Sequence, residues 1–233
     1  MNIKQAIAGL TVFERRLWFG SVVLIVLSFL LSGKPDLWSL AASLTGATAL
    51  IFVARGEPFG QLLCIVFALL YGCISLRFRY YGEMITYVGM SAPMAAASLI
   101  SWLKNPFEQG KSQVRVGTVS VLHWLLLIVA TMAVTIGFYF ILNYFDTPNL
   151  VLSTVSIATS FLAVGLTFLR SPAYALAYAA NDAVLIGLWV LAGVWDRSCI
   201  PMITCFVIFL VNDIYGYRCW RRLWIRQQER EYI

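Results

Sequence analysis

Apolar runs fill this chain almost from end to end, broken at short intervals by charge, Pro and Gly. The runs cover roughly 17–33, 36–54, 59–76, 81–103, 119–142, 149–169, 173–195 and 199–217, each near the ~20 residues that a membrane-spanning helix needs. Between them stand turn signals such as Gly33-Lys34-Pro35-Asp36, Arg55-Gly56-Glu57-Pro58, Arg77-Phe78-Arg79, Asp146-Thr147-Pro148, Arg170-Ser171-Pro172 and Asp196-Arg197. The pattern predicts an all-α polytopic membrane protein with eight transmembrane helices. The one long connection, 104–118, carries Lys104, Lys111 and Arg115.

Composition agrees. Hydrophobic residues make up 61% of the chain and charged residues 12%, with a mean hydropathy of +0.81; a soluble domain is nearer half apolar and a quarter charged. The net charge of +6 comes from basic residues between the apolar runs, so it reports orientation before it reports a partner. With the N-terminus on one side, that side holds Lys4, Arg15, Arg16, Arg55, Lys104, Lys111, Arg115, Arg170, Arg218, Arg221, Arg222, Arg226 and Arg230, and only Lys34, Arg77, Arg79 and Arg197 of the 17 basic residues fall opposite. This bias predicts eight crossings of the plasma membrane with both termini cytoplasmic. No nucleic-acid motif occurs. The first run, preceded by Lys4, Arg15 and Arg16 and ending at Ser32-Gly33, has the outline of a secretion signal; a retained anchor helix fits the charge count better.

A weak internal repeat shows in the spacing. A slide that lays Arg55 on Arg170 also lays Gly72 on Gly187, Leu76 on Leu191 and Ile85 on Ile200, and the turns coincide. Three spans cross an odd number of times, so one linking helix lets the second unit start on the same side as the first. The expected division is an extra N-terminal helix (1–35), a three-helix repeat (36–103), a linker loop and helix (104–147), a second three-helix repeat (148–217) and a basic cytoplasmic tail (218–233). Parallel repeats related by an axis along the membrane normal are a known transporter plan, with substrate near the midplane.

Within two spans sit Asn181-Asp182 and Asn212-Asp213. A carboxylate inside a bilayer span is costly unless it faces protein or water, so these pairs mark a candidate substrate path. If its span begins near Ala173, Asn181 lies about 12 Å along, near mid-bilayer. Asp182 and Trp189 are two turns apart and share a face, a seat suited to a flat organic cation. In the last span Asp213, Tyr217 and Trp220 share one face, with Asn212 and Tyr215 on the adjoining one. In the fourth span Pro93 frees a carbonyl near the middle, with Thr86 close by. Tyr87, Met90 and Ser91 share a face there by helical spacing. Glu83 falls where Arg77 or Arg79 could reach it. Gln61 and Tyr71 are polar enough to face the bundle interior. The bland alternative is that such groups only hydrogen-bond neighbouring helices.

Cys64, Cys73, Cys199, Cys205 and Cys219 form no C-x-x-C pair and read as packing residues. His123 is the single histidine. Neither a metal site nor a haem ligand pair is predicted, and no cofactor or catalytic cluster, which argues against an enzyme. A carrier, a membrane redox protein and a cation pathway through the two Asp residues are the readings to separate.

Tyr81-Gly82-Glu83-Met84 followed by Pro93-Met94 and Trp102, with Asn212-x-x-Tyr215-Gly216-Tyr217-x-x-Trp220, resembles the PnuC family of bacterial vitamin transporters over roughly 36–222. The resemblance implies uptake of nicotinamide riboside by facilitated diffusion, pulled by phosphorylation of the substrate in the cell. Relatives carry thiamine or riboflavin-like compounds. It also implies a SWEET-like fold and a homotrimer in the bacterial inner membrane. Asn181, Asn212 and Tyr215 match the family's substrate-facing positions, and Trp189 matches less closely. The chain departs from the family pattern in its fourth span, where Thr86-Tyr87 and Ala95-Ala96-Ala97 stand in place of a Gln and an Asn-aromatic cluster.

Overall fold

A computed structural model describes residues 9–32, 37–77, 81–108, 112–193 and 200–231. The described residues are helical apart from short turns and one extended connection. The helices are α1 (Val12–Leu31), α2 (Leu37–Ala54), α3 (Pro58–Arg77), α4 (Tyr81–Met84), α5 (Ala92–Lys104), α6 (Val121–Tyr144), α7 (Leu150–Phe168), α8 (Tyr174–Gly193) and α9 (Ile200–Glu231). A π-helical segment, Ile85–Ser91, joins α4 to α5. Seven spans among the described residues are long and apolar enough to cross a membrane, counting α4, the π segment and α5 as one. The eighth expected span, α1, has 20 residues but carries Glu14, Arg15 and Arg16 near its start. A capping box fixes that start: Glu14 N–H donates to the Thr11 hydroxyl, and Thr11 N–H donates to the Glu14 carboxylate.

The packing has a two-fold character. α2 packs on α3, α3 on α5, and α9 on α2; correspondingly α7 packs on α8, α8 on α9, and α5 on α7. The turns between the first two helices of each set match bond for bond. Gly56 N–H donates to Val53 O, Glu57 N–H to Phe52 O and Gly60 N–H to Glu57 O; Arg170 N–H donates to Thr167 O, Ser171 N–H to Leu166 O and Tyr174 N–H to Ser171 O. Gly56 (φ 70°) and Arg170 (φ 57°) both take the left-handed conformation that ends such a helix. The register therefore lays Gly56, not Arg55, on Arg170, a shift of one residue from the sequence expectation. Spacing alone could not resolve it, because each turn holds one arginine at a different position.

Two buried tryptophans tie the sets together. Trp102 Nε1–H donates to Thr167 O (2.9 Å) and Trp220 Nε1–H donates to Val53 O (2.8 Å), with ring centroids 5.2 Å apart. Beneath them the extended connection forms a strap: Val114 N–H donates to Gly56 O, and Gly117 N–H to Arg170 O. Gln227 clamps the strap, accepting from Val116 N–H (2.8 Å) and donating to Val114 O (3.0 Å). The residues of the expected basic tail from 218 continue α9 without a break to Glu231. Trp220, Leu223 and Gln227 recur at helical spacing and are all buried, so the last turns dock rather than dangle. α6 differs: of its residues only Leu127 and Leu142 are buried, Trp124, Val134 and Phe138 pack partly against the core, and one long apolar face looks outward.

Candidate functional site

Two cavities lie in series between the helices. The inner one, about 100 Å³, draws lining residues from α2, α3, the π segment, α5, α7, α8 and α9. The outer one, about 170 Å³, opens toward the end opposite the strap, beside the turn at Thr147, Pro148 and Asn149. Tyr87, Leu185 and Ser160 belong to both walls and form the partition.

The inner cavity brings together Gln61, Tyr87, Ser91, Asn181, Asp182 and Asp213 of the sequence-predicted set. Asp182 on α8 and Asp213 on α9 are buried, at 3% and 4% exposure, and both line this one cavity. Two carboxylates buried in one small cavity repel each other, which disfavours charging both. The pair thus presents one negative charge, and Asp182 Oδ2 has no partner among the described residues. Asn181 Oδ1 accepts from the hydroxyls of Thr159 (2.8 Å) and Ser160 (3.0 Å). With its oxygen occupied, Asn181 has only its NH₂ group to offer a ligand. Aromatic rings complete the wall: Phe67 meets Tyr87 edge-on at 5.9 Å and Phe209 at 5.8 Å, and Phe206 and Tyr178 also line it. Gly46 lets Phe209 approach so closely that an added Cβ would stand 2.5 Å from its ring. No Lys, Arg or His lines this cavity among the described residues.

The π segment explains why one expected residue is missing. Ala92 N–H donates to Tyr87 O, a bond one residue longer than in an α-helix. Widened turns keep Tyr87 and Ser91 on one face but rotate Met90 away. Met90 is buried instead with Leu142 and Ile157. Pro93, which lacks an N–H, stands just after this segment.

Trp189 also leaves the expected seat. It shares a helix face with Asp182, but two turns of rise carry it past the partition into the outer cavity. There it faces Glu83, Thr86, Ser153 and Ser156. Glu83 Oε2 accepts from Tyr71 OH at 2.9 Å. The Arg77 and Arg79 side chains, its expected partners, lie outside the described residues.

Asn212 and Tyr215 face α1, not a cavity. Asn212 Nδ2 donates to Ile208 O (2.8 Å) and Ser21 Oγ (3.4 Å). Tyr215 OH donates to Glu14 Oε1 (3.3 Å), and its ring meets Phe13 at 5.1 Å. Glu14 in turn pairs with Arg55 at 3.3 Å. With Asp213 turned inward, the ~100° step of a helix directs Asn212 to the neighbouring face. These two residues fasten the first helix to the bundle. Sequence reasoning missed the aromatic wall. A signal existed on α3, where Gln61, Cys64, Ala68 and Tyr71 recur at helical spacing and place Phe67 beside them.

A curated relative from Neisseria mucosa, named nicotinamide riboside transporter PnuC, is 26% identical over 230 residues, covering 94% of this chain and 85% of its own. One of the same name from Haemophilus influenzae is 23% identical over 191 residues, 81% of each chain. The crystal structure of the vitamin B3 transporter PnuC superposes with a TM-score of 0.80 at 23% identity, covering 94% of both chains, and so shares the fold. Residues 36–222 match the model of the nicotinamide mononucleotide transporter family, and the chain belongs to that family of membrane transporters.

Proposed function

We propose that this chain carries nicotinamide riboside into the cell by facilitated diffusion, holding it in the inner cavity. The relatives named for that substrate support the choice of vitamin. The observation that carries the reading is the Asp182–Asp213 pair, set among aromatic rings and amides with no basic residue among the described residues of the wall. Nicotinamide riboside has a planar cationic ring and a neutral sugar. The ring suits one negative charge and aromatic faces; the carboxamide and ribose suit Gln61, Asn181 and Ser91. A mononucleotide would bring a phosphate into a wall that holds acids and no cation, so the site favours the riboside over the family model's namesake.

The matched packing and the paired turns support two parallel repeats, 36–103 and 148–217, joined by 104–147. The basic strap end is the cytoplasmic end in this reading, with both termini on the cytoplasmic side of the bacterial plasma membrane. The Trp102–Trp220 layer then closes the cavity toward the cytoplasm. The outward apolar face of α6 suits lipid and the neighbours of a SWEET-like homotrimer.

Uptake of radiolabelled nicotinamide riboside into proteoliposomes tests this. Saturable entry to equilibrium without an imposed ion gradient is expected, with no ionic current. No saturable entry, or entry only with a gradient, would contradict it, and competition by thiamine would move the substrate to that vitamin.

A further inference from the structure

The outer cavity has no part in the function proposed above, yet it is furnished like a binding site. Its floor is the partition of Tyr87, Leu185 and Ser160, which it shares with the inner cavity. Its acid is Glu83. The Tyr71 hydroxyl donates to that carboxyl and holds it as an acceptor. Trp189 supplies an aromatic face, and Ser153, Ser156 and Thr147 supply hydroxyls at the mouth. An acid, an indole and a group of hydroxyls are the elements that hold a cationic aromatic ring bearing a sugar. The two cavities also connect chemically. Tyr71, which donates to Glu83, packs on Tyr87 with ring centroids 4.4 Å apart, and Tyr87 meets Phe67 of the inner wall.

We infer that the outer cavity is a second binding site for cationic aromatic nucleosides, with Glu83 and Trp189 as its recognition groups, loaded before the substrate passes Tyr87 into the inner cavity. This rests on the riboside reading. The chain then holds two substrates in series, and each site has its own acid. Removing the outer acid slows loading at low substrate but leaves the inner site intact.

Equilibrium binding of radiolabelled nicotinamide riboside to the full detergent-purified chain tests the inference. The wild type should bind two ligands per chain. Glu83→Gln keeps an acceptor for Tyr71 but removes the charge, and should bind one; so should Trp189→Leu, which keeps the proposal testable if the first variant fails to fold. Asp182→Asn with Asp213→Asn should also leave one site, the outer. In proteoliposomes below saturation, Glu83→Gln should lower the initial rate about tenfold, the scale of one lost charged contact. A single site in the wild type that Glu83→Gln and Trp189→Leu leave untouched would overturn the outer site alone. Two sites that survive both substitutions would overturn it too. No saturable binding by the wild type would overturn the riboside reading and this inference with it.

Discussion

Replacing the buried acids one at a time and then together separates a shared charge from two independent ones. Because Asp182 and Asp213 are buried in the wall of one small cavity, their mutual repulsion leaves the pair one charge and one proton. Asn imitates the protonated member, being neutral and of nearly the same shape. Asp182→Asn and Asp213→Asn alone should each change the affinity for nicotinamide riboside by no more than about threefold, under 1 kcal/mol. The double variant removes the charge. In a cavity of about 100 Å³ the ligand's charge lies within roughly 5 Å of the pair, worth about 3 kcal/mol at an effective dielectric near 20. That corresponds to roughly two orders of magnitude in Kd. Isothermal titration of the three purified variants gives the comparison, with elution volume as the control for folding. A single substitution that costs as much as the double would refute the shared charge.

Other substitutions test the packing. Gly46→Ala places a methyl 2.5 Å from the Phe209 ring and 3.2 Å from Phe67; the rings should yield into the cavity, weakening riboside binding at least tenfold while overpacking costs about 1–3 kcal/mol of stability. Arg170→Gly should raise the unfolding midpoint by about 2–4 °C, from roughly 1 kcal/mol of relieved left-handed backbone, as Gly56 does at the matching turn. The same change removes a guanidinium that burial, helped by the nearby Arg115, holds below its ordinary pKa. Gln227→Leu strips Val116 N–H and Val114 C=O of their partners, at about 1–3 kcal/mol each, and should speed amide exchange at Val116. Unchanged exchange there would mean that the strap stands without its clamp.

Much of the fold was legible because helix length and turn chemistry are local. Residues such as Pro58 and Asn149 bound helices within a residue or two of where the apolar runs predicted. The site was legible only in part. Gln61, Asn181, Asp182 and Asp213 converge as expected, since a polar group in an apolar span has few places to go. Met90 did not, because its position depends on a π-helical turn that a 3.6-residue period cannot represent. Trp189 shares the right face but at the wrong depth, and depth depends on where Tyr87 from another helix closes the space. Asn212 and Tyr215 turn to α1, whose Ser21 and Glu14 were assigned no partners from sequence. Docking of the last turns of α9 was equally hidden, because the exposed arginines outnumber the three buried residues that hold it.

A single negative charge, in a cavity whose described wall holds no basic residue, selects a cation. Titrating the wild-type chain with nicotinamide riboside and, separately, with nicotinamide mononucleotide tests it most directly. Saturable riboside binding with mononucleotide at least about a hundredfold weaker is the expected result, since a phosphate beside the acid pair is unpaired and repelled. Equal affinity, or tighter binding of the mononucleotide, would contradict it.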